Sequence, residues 1–300
     1  MGRRIHVEIL IRAPLEDLWR LTQTPELHER WDLRFSSITY GDVVDGAQRF
    51  RYATRIGGGL EVEGWGETRG TLDQDGSRTS ALAFGSDDRK ALIRKGSGFW
   101  KYTPEPDGVR FVTGYDYEPR WGSIGRVVDL AFRPVLAWAT AWSFDRLRLW
   151  LERDIDPTLS AVRALCHTIA RGVLGFVFVF HGLVPKLIAA HPEEVEYLVL
   201  SGFPEESAPI AVRALGVVEI LFGLALLWFW RARWLYVLTA VALVLLASAA
   251  VVLRPAAAID PFNPISFTIA LVALALIGWV ACDDLPSAAR CDWGVGGKKR

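Results

Sequence analysis

The sequence predicts an α+β head of order β-α-α-β6-α, an antiparallel sheet wrapped on a long C-terminal helix, fused to a four-helix transmembrane bundle. Three observations predict it. Before Asp156 charged and apolar residues alternate, and no apolar run is long enough to span lipid. Between Leu165 and Cys282 four long apolar segments are separated by short polar turns. Glycine, proline and aspartate clusters punctuate residues 40–108 at strand spacing. The division expected is a head over 1–155, a membrane unit over 165–285 and a basic cytoplasmic tail over 286–300.

The 300 residues carry 34 basic and 34 acidic side chains, so no net charge attracts a polyanion, and no basic stripe interleaved with aromatics suggests nucleic-acid binding. The three cysteines, Cys166, Cys282 and Cys291, form no CxxC and have no histidine at ligand spacing, which excludes the usual zinc and disulfide patterns. The opening MGRRIHVEILIRAP leads straight into an alternating strand and lacks a signal peptide's apolar segment, so the head is expected on the cytoplasmic side.

The first strand, IHVEILIRAP, runs into Pro14 at the start of helix PLEDLWRLT, and PELHERW follows Pro25 as a second helix. Six strand-like segments come next: 35–40, 49–56, 60–71, 79–85, 92–103 and 109–118. A long helix from about Gly125 to Arg153 closes the head. Its uncharged stretch from Pro134 to Phe144 is too short to cross a core of roughly 30 Å and packs instead on the sheet.

Centring a hairpin on Gly57, Gly58 and Gly59 sets Arg55 opposite Glu61, Arg51 opposite Trp65 and Arg49 opposite Glu67. These glutamates are then cross-strand ion partners. Phe50, Tyr52, Ile56 and Val62 fall on the other face, with Gly64 and Gly66 lowering its bulk. An apolar pocket between that face and the long helix is expected, with Tyr52, Phe111, Tyr115, Tyr117 and Trp138 as ligand-binding residues. Catalytic residues are unknown at this level. His28 and Asp32, four apart on the short helix, read as a solvated pair, with Trp31 between them as the anchor.

The element order, with VEILIRAPLEDLWRLTQTPELHERWD, FRYATRIGGGLEVEGWGE and LAFRPVLAWATAWSFDRLRLWLE, resembles the helix-grip superfamily of START lipid-transfer domains, polyketide cyclases and pollen-allergen-like carriers (SRPBCC). The resemblance implies a cavity for an apolar ligand under the C-terminal helix. It does not imply a reaction, because carriers and cyclases share the scaffold.

Four spans read as Leu165–Ile188, Ile210–Trp230, Trp234–Leu253 and Ile265–Cys282. Arg153, Arg163, Arg231, Arg233, Arg290, Lys298, Lys299 and Arg300 fall on one side, which predicts a multi-pass inner-membrane protein with both termini and the head cytoplasmic. Arg171 and Lys186 lie near span ends and can snorkel. His181 and Glu219 lie about 8–9 Å inward of the outer charges Lys186 and Arg213, at matching depth. Together His181, Lys186, Arg213 and Glu219 form the expected membrane polar site, with His181 hydrogen-bonded to Glu219 either as a structural lock or as a functional group. Glycines 175, 182, 216 and 223 allow the two helices a close approach.

GFVFVFHGLVPKL with HPEE and RALGVVEILFGLALL resembles the DoxX-like four-helix membrane family, and in residue terms carries over His181, Gly182, Pro185, Lys186, Gly216, Glu219 and Gly223. Some relatives are linked to quinone-coupled chemistry. No cofactor or metal is indicated by the residues, and a quinone is the one cofactor this resemblance leaves open. The expected function is membrane-anchored binding or transfer of an apolar or amphipathic small molecule (lipid, isoprenoid or quinone), with the bilayer and such a ligand as partners. The alternatives are a cyclase-like or quinone-linked oxidoreductase component, or a structural subunit bound to a membrane protein partner. The residues do not decide whether a reaction is catalysed.

Overall fold

The computed structural model describes residues 4–296 and 298–299. The chain divides into two units, Met1–Ala161 together with Pro286–Arg300, and Val162–Leu285.

The first unit begins with β1 (Ile5–Ile11), α1 (Leu15–Gln23) and α2 (Pro25–Trp31). The meander follows as β2 (Ser37–Val44), β3 (Ala47–Gly57), β4 (Leu60–Gln74), β5 (Ser77–Gly85), β6 (Ile93–Glu105) and β7 (Gly108–Pro119). The long helix α3 spans Gly122–Arg153. Strict alternation puts Ile5, Val7, Ile9 and Ile11 of β1 inside, and β7 does the same with Val109, Phe111, Tyr115 and Tyr117. These pack with Leu18, Trp31, Trp100 and Tyr102 against Ala137, Ala141, Phe144 and Leu147 of α3.

The β3–β4 register pairs Arg55 with Glu61, Arg51 with Trp65 and Arg49 with Glu67. Arg55 Nε reaches Glu61 Oε2 at 2.8 Å. Ile56 does not share the inner face. A bulge between Arg55 and Gly57 breaks the alternation and leaves Ile56 exposed. Gly64 and Gly66 make room, but for side chains of the chain itself, since the rings of Tyr52 and Phe50 lie across them from the paired strand.

The segment read as a basic tail is built into the head. After a short 3-10 turn (Ala288–Arg290), β8 (Asp292–Val295) pairs antiparallel with β1, and β9 (Lys298–Lys299) pairs with β8. Among the described residues the sheet is thus nine-stranded, in the order β2-β3-β4-β5-β6-β7-β1-β8-β9. A fully buried carboxylate on α3 ties the segment down. Asp145 accepts from the Ser287 backbone N–H at 2.8 Å and from Arg148 Nε at 2.6 Å. The Cys291 thiol donates to the Ala141 carbonyl at 3.2 Å, and burial pushes that thiol well above its ordinary range.

The helix α4 (Pro157–His181) begins in the last residues of the first unit and, in the second, continues as a π-helical stretch, Gly182–Ile188. It is followed by α5 (Pro192–Leu200), α6 (Ala208–Trp228), α7 (Arg233–Leu253) and α8 (Pro264–Val280). Three of these helices are long and apolar enough to cross a membrane: the one running through Pro157–Ile188, α6 and α7. The fourth apolar helix, α8, has 17 residues, or about 26 Å at 1.5 Å per residue. Leu174, Phe178, Leu226, Leu235, Tyr236, Leu271 and Ala275 form the unit's core.

Asp145→Ala should lower the stability of the head by about 3–5 kcal/mol, because it strips Arg148 and the Ser287 N–H of a buried partner. Hydrogen exchange on the full chain is expected to show lost protection over residues 287–295 before the rest of the sheet.

Candidate functional site

Within the head, polar groups gather where α2 meets the sheet. His28 and Asp32 lie one turn apart, and the chain bends after Asp32 so that Arg34 folds back on the same carboxylate. Asp32 Oδ2 accepts from Arg34 Nη2 at 2.6 Å and Oδ1 from Arg34 Nε at 2.9 Å, while His28 Nε2 lies 3.0 Å from Oδ2. Asp32 is buried, and the His28 and Arg34 side chains are only 14% and 13% exposed. Burial acts to raise the Asp32 pKa, but the adjoining Arg34 charge and the hydrogen bonds from Arg34 and His28 outweigh it and hold the carboxyl well below the usual range. Burial pulls the His28 imidazole down, against the opposing pull of Asp32.

His28 is therefore not a surface residue. Trp31, fully buried, draws that face of α2 onto the core, and the His28 ring stacks on it at 4.9 Å and meets Trp100 at the same distance. Arg34 continues the cluster, its Cζ lying 5.4 Å from the Phe35 ring centroid and 5.7 Å from that of Tyr115.

Two of the expected ligand residues border this group. Tyr115 shares a 2.8 Å hydrogen bond with Thr140 of α3, and burial raises its phenol above the ordinary range. Tyr52 donates to the Gly85 carbonyl at 3.3 Å and is pushed up to about 12 by burial, against the Arg34 charge. Phe35 packs edge-on to Tyr52 at 5.3 Å, and Phe84 does so to Tyr115 at 6.1 Å. Tyr117 belongs to a second group, donating to Asp129 Oδ1 at 2.6 Å with the Arg133 guanidinium 3.9 Å above its ring. Phe111 is core, stacked on Phe144 at 4.4 Å and on Tyr102 at 4.9 Å. Trp138 points away from the sheet and is 44% exposed, because its helical neighbours Ala137 and Ala141 take the inward positions.

The head cluster gathers a guanidinium, an imidazole and phenolic hydroxyls within aromatic walls, each with a partner in the protein: Arg34 and His28 on Asp32, Tyr115 on Thr140 and Tyr52 on the Gly85 carbonyl. Sequence reading missed Arg34, Thr140, Asp129 and Arg133. The last two stand four apart on α3, a spacing that marks an ion pair, and their Nε to Oδ2 distance is 2.8 Å.

In the membrane unit the expected His181–Glu219 pair is replaced by another. Glu219 Oε2 lies 3.1 Å from Lys186 Nζ, and Lys186 also donates to Glu194 Oε1 at 3.2 Å. Lys186 is buried rather than snorkelling, whereas His181 is exposed with its ring beside Phe267 at 5.8 Å, and Arg213 is exposed. The π-helical stretch is the cause. Its wide turns, marked by the Ala189 N–H bonding the Val184 carbonyl, shift the facing away from the 3.6-residue wheel and rotate Lys186 onto α6.

The four glycines do bring α4 and α6 together. A Cβ on Gly216 would stand 2.7 Å from the Gly182 carbonyl oxygen, and one on Gly223 the same distance from that of Gly175. Elsewhere in the unit, Arg171 donates to the Leu227 carbonyl at 3.1 Å, and the buried His167 meets Tyr236 edge-on at 5.8 Å. Among the described residues, no group of three His, Cys, Asp or Glu side chains is placed to hold a metal ion.

The molecule is a helix-grip head fused to a multi-pass membrane unit. Residues 175–276, within the second unit, match the DoxX-like family. The chain is 52% identical over 157 residues to the uncharacterized membrane protein YndG of Bacillus subtilis (strain 168), a match covering 51% of this chain. The chain spans 59% of that relative's length. Among solved structures, the di-domain aromatase/cyclase StfQ of the steffimycin pathway aligns at 15% identity, covering 49% of each chain, with a TM-score of 0.39. A STAR-related lipid transfer protein of Xanthomonas axonopodis aligns at 16% identity over 50% of this chain and 86% of its own, with a TM-score of 0.37.

Both His28 and Asp32 have depressed folded-state pKa values, so acid destabilises the head through each. The His28 contribution is fully present above the unfolded value of about 6.5 and is lost as pH falls through the folded value, while the Asp32 contribution starts to fall only below about 4–5. Thermal midpoints of the full chain should therefore drop between pH 7.5 and 5, and drop less in His28→Asn.

Lys186→Met and Glu219→Leu should be coupled by about 1–3 kcal/mol in a double-mutant cycle read by unfolding in detergent. His181→Ala and Glu219→Leu should be additive.

Proposed function

We propose that this protein binds, and passes to or from the bilayer, an apolar or amphipathic small molecule such as a lipid, isoprenoid or quinone, held in the head beside Arg34, Tyr52 and Tyr115. The observation that carries the reading is the buried Asp32–Arg34 pair lying against the aromatic rings of Phe35 and Tyr115. Asp32 takes two of the guanidinium's donor positions and the Tyr115 phenol accepts a further hydrogen bond, which leaves the other N–H groups for a ligand. A polar headgroup or carbonyl would use the remainder, while the rings of Phe35, Tyr52 and Phe84 would contact an apolar body.

Membrane placement supports transfer rather than free carriage. The chain leaves the first unit at Ala161 and returns to it at Pro286, and β8 pairs with β1 in a single sheet. An even number of crossings satisfies that closure, which favours counting α8 as a fourth span beside the three longer helices. The basic residues flanking the spans favour the inner membrane with the head and termini on the cytoplasmic side. A maleimide that cannot cross membranes, applied to intact cells, should then label Glu205→Cys and not Arg231→Cys.

The test of the function is mass spectrometry of small molecules retained by the full-length protein in mild detergent. Tyr52→Trp, which enlarges the ring that packs on Phe35 and lies across Gly64, should lower retention about tenfold, a loss of about 1.4 kcal/mol. Glu61→Gln, on the outer face of the sheet, should leave it unchanged. Equal retention in all three proteins would remove the head as the binding site.

A further inference from the structure

The N-terminal half of the long helix α3 buries charge and exposes apolar side chains. There the sheet-facing side carries the buried Asp129 and Arg133, with Ala137, Thr140, Ala141 and Phe144 following toward the core, whereas the outward side is apolar. Ile124, Val128, Ala131, Val135, Trp138 and Trp142 recur four and three residues apart and so lie in one stripe. Ile124 is 71% exposed, Val135 60% and Trp138 44%. An apolar face of this length on a water-facing helix marks a surface that something covers.

We propose that this face of α3 is an interfacial helix that lies in the headgroup boundary of the bilayer. Three observations favour lipid over a second helix. Val127 and Leu130, 67% and 55% exposed, widen the stripe into a face broader than the narrow seam of a coiled coil. The positions that flank such a seam and would carry pairing charges are Gly125, Phe132 and Ala139 on one side and Val127, Pro134 and Ala141 on the other, none of them charged. The stripe ends in two tryptophans, Trp138 and Trp142, stacked at 6.3 Å, the residue type that collects at membrane interfaces.

One further feature fits anionic lipid. Exposed Arg126 lies within the first turns of α3, and exposed Arg89 and Lys90 stand beside its start, where the Trp121 indole donates to the Arg89 carbonyl at 3.1 Å.

The test uses the full chain in a Cys166→Ser background, Cys282 and Cys291 being buried. Val127→Cys, Val135→Cys and, as a control on β4, the exposed Leu72→Cys are each labelled with an environment-sensitive fluorophore and reconstituted in vesicles of phosphatidylethanolamine and phosphatidylglycerol. The two α3 labels should shift to the blue and lose intensity to lipids spin-labelled near the headgroup end of the acyl chain, while the Leu72 label should do neither. Unfolding midpoints equal to the parent confirm that each labelled chain is folded. Water-like emission from both α3 labels would overturn the proposal. Disulfide cross-linking of Val127→Cys between copies diluted in excess lipid would overturn it in favour of a homotypic interface.

Discussion

The pairing of β1 with β8 is the constraint on which the rest of the architecture depends. It makes the first strand of the head central rather than an edge, flanked by β7 on one side and the returning chain on the other. A strand left at an edge would expose a row of unpaired backbone groups beside the apolar inner residues Ile5, Val7, Ile9 and Ile11. Because the partner arrives only after the whole membrane unit has been made, the head's final sheet encloses more than a hundred residues of intervening chain. Asp145 and Cys291 then act as fasteners, binding that late segment to the helix that packs the sheet.

Buried charge is concentrated at a few places in the head, each with its partners supplied locally. Asp32 is served by Arg34 and His28 from within four residues, and Asp129 by Arg133 one turn away on the same helix. Arg146 is different. It donates to the carbonyls of Trp31, Arg30 and Pro157, so the end of α2 and the start of α4 converge on one side chain, and burial lowers its pKa to about 10. The Arg30 and Trp31 carbonyls end α2, where a guanidinium complements the partial negative charge of the helix C-terminus.

In the membrane unit, the close approach of α4 and α6 and the choice of ionic partner are one phenomenon. The glycine pairs bring backbones near enough that a lysine one π-turn further on is held against α6, where Glu219 neutralises it and Glu194 of α5 adds a second carboxylate. Lys186 is thus buried between carboxylates of two helices, which hold its ammonium inside the unit.

Periodicity and turn chemistry, both local, determined much of this protein in advance. The strand, two helices, meander and long helix, the β3–β4 register with Arg55 opposite Glu61, and the four apolar segments could all be read from spacing, because alternation and the 3.6-residue repeat are properties of neighbouring residues. Tyr52 and Tyr115 could be placed on the inner face for the same reason. What only the tertiary structure decided is what depends on residues far apart in the chain or on a departure from regular geometry. The return of 292–295 to β1 joins segments nearly the whole chain apart, and nothing local in DWGV names its partner. His28 was drawn inward by the packing of Trp31, and Trp138 outward by the small residues beside it. A π-helical stretch, invisible to a wheel drawn at 3.6 residues per turn, rotated Lys186 in place of His181 toward Glu219.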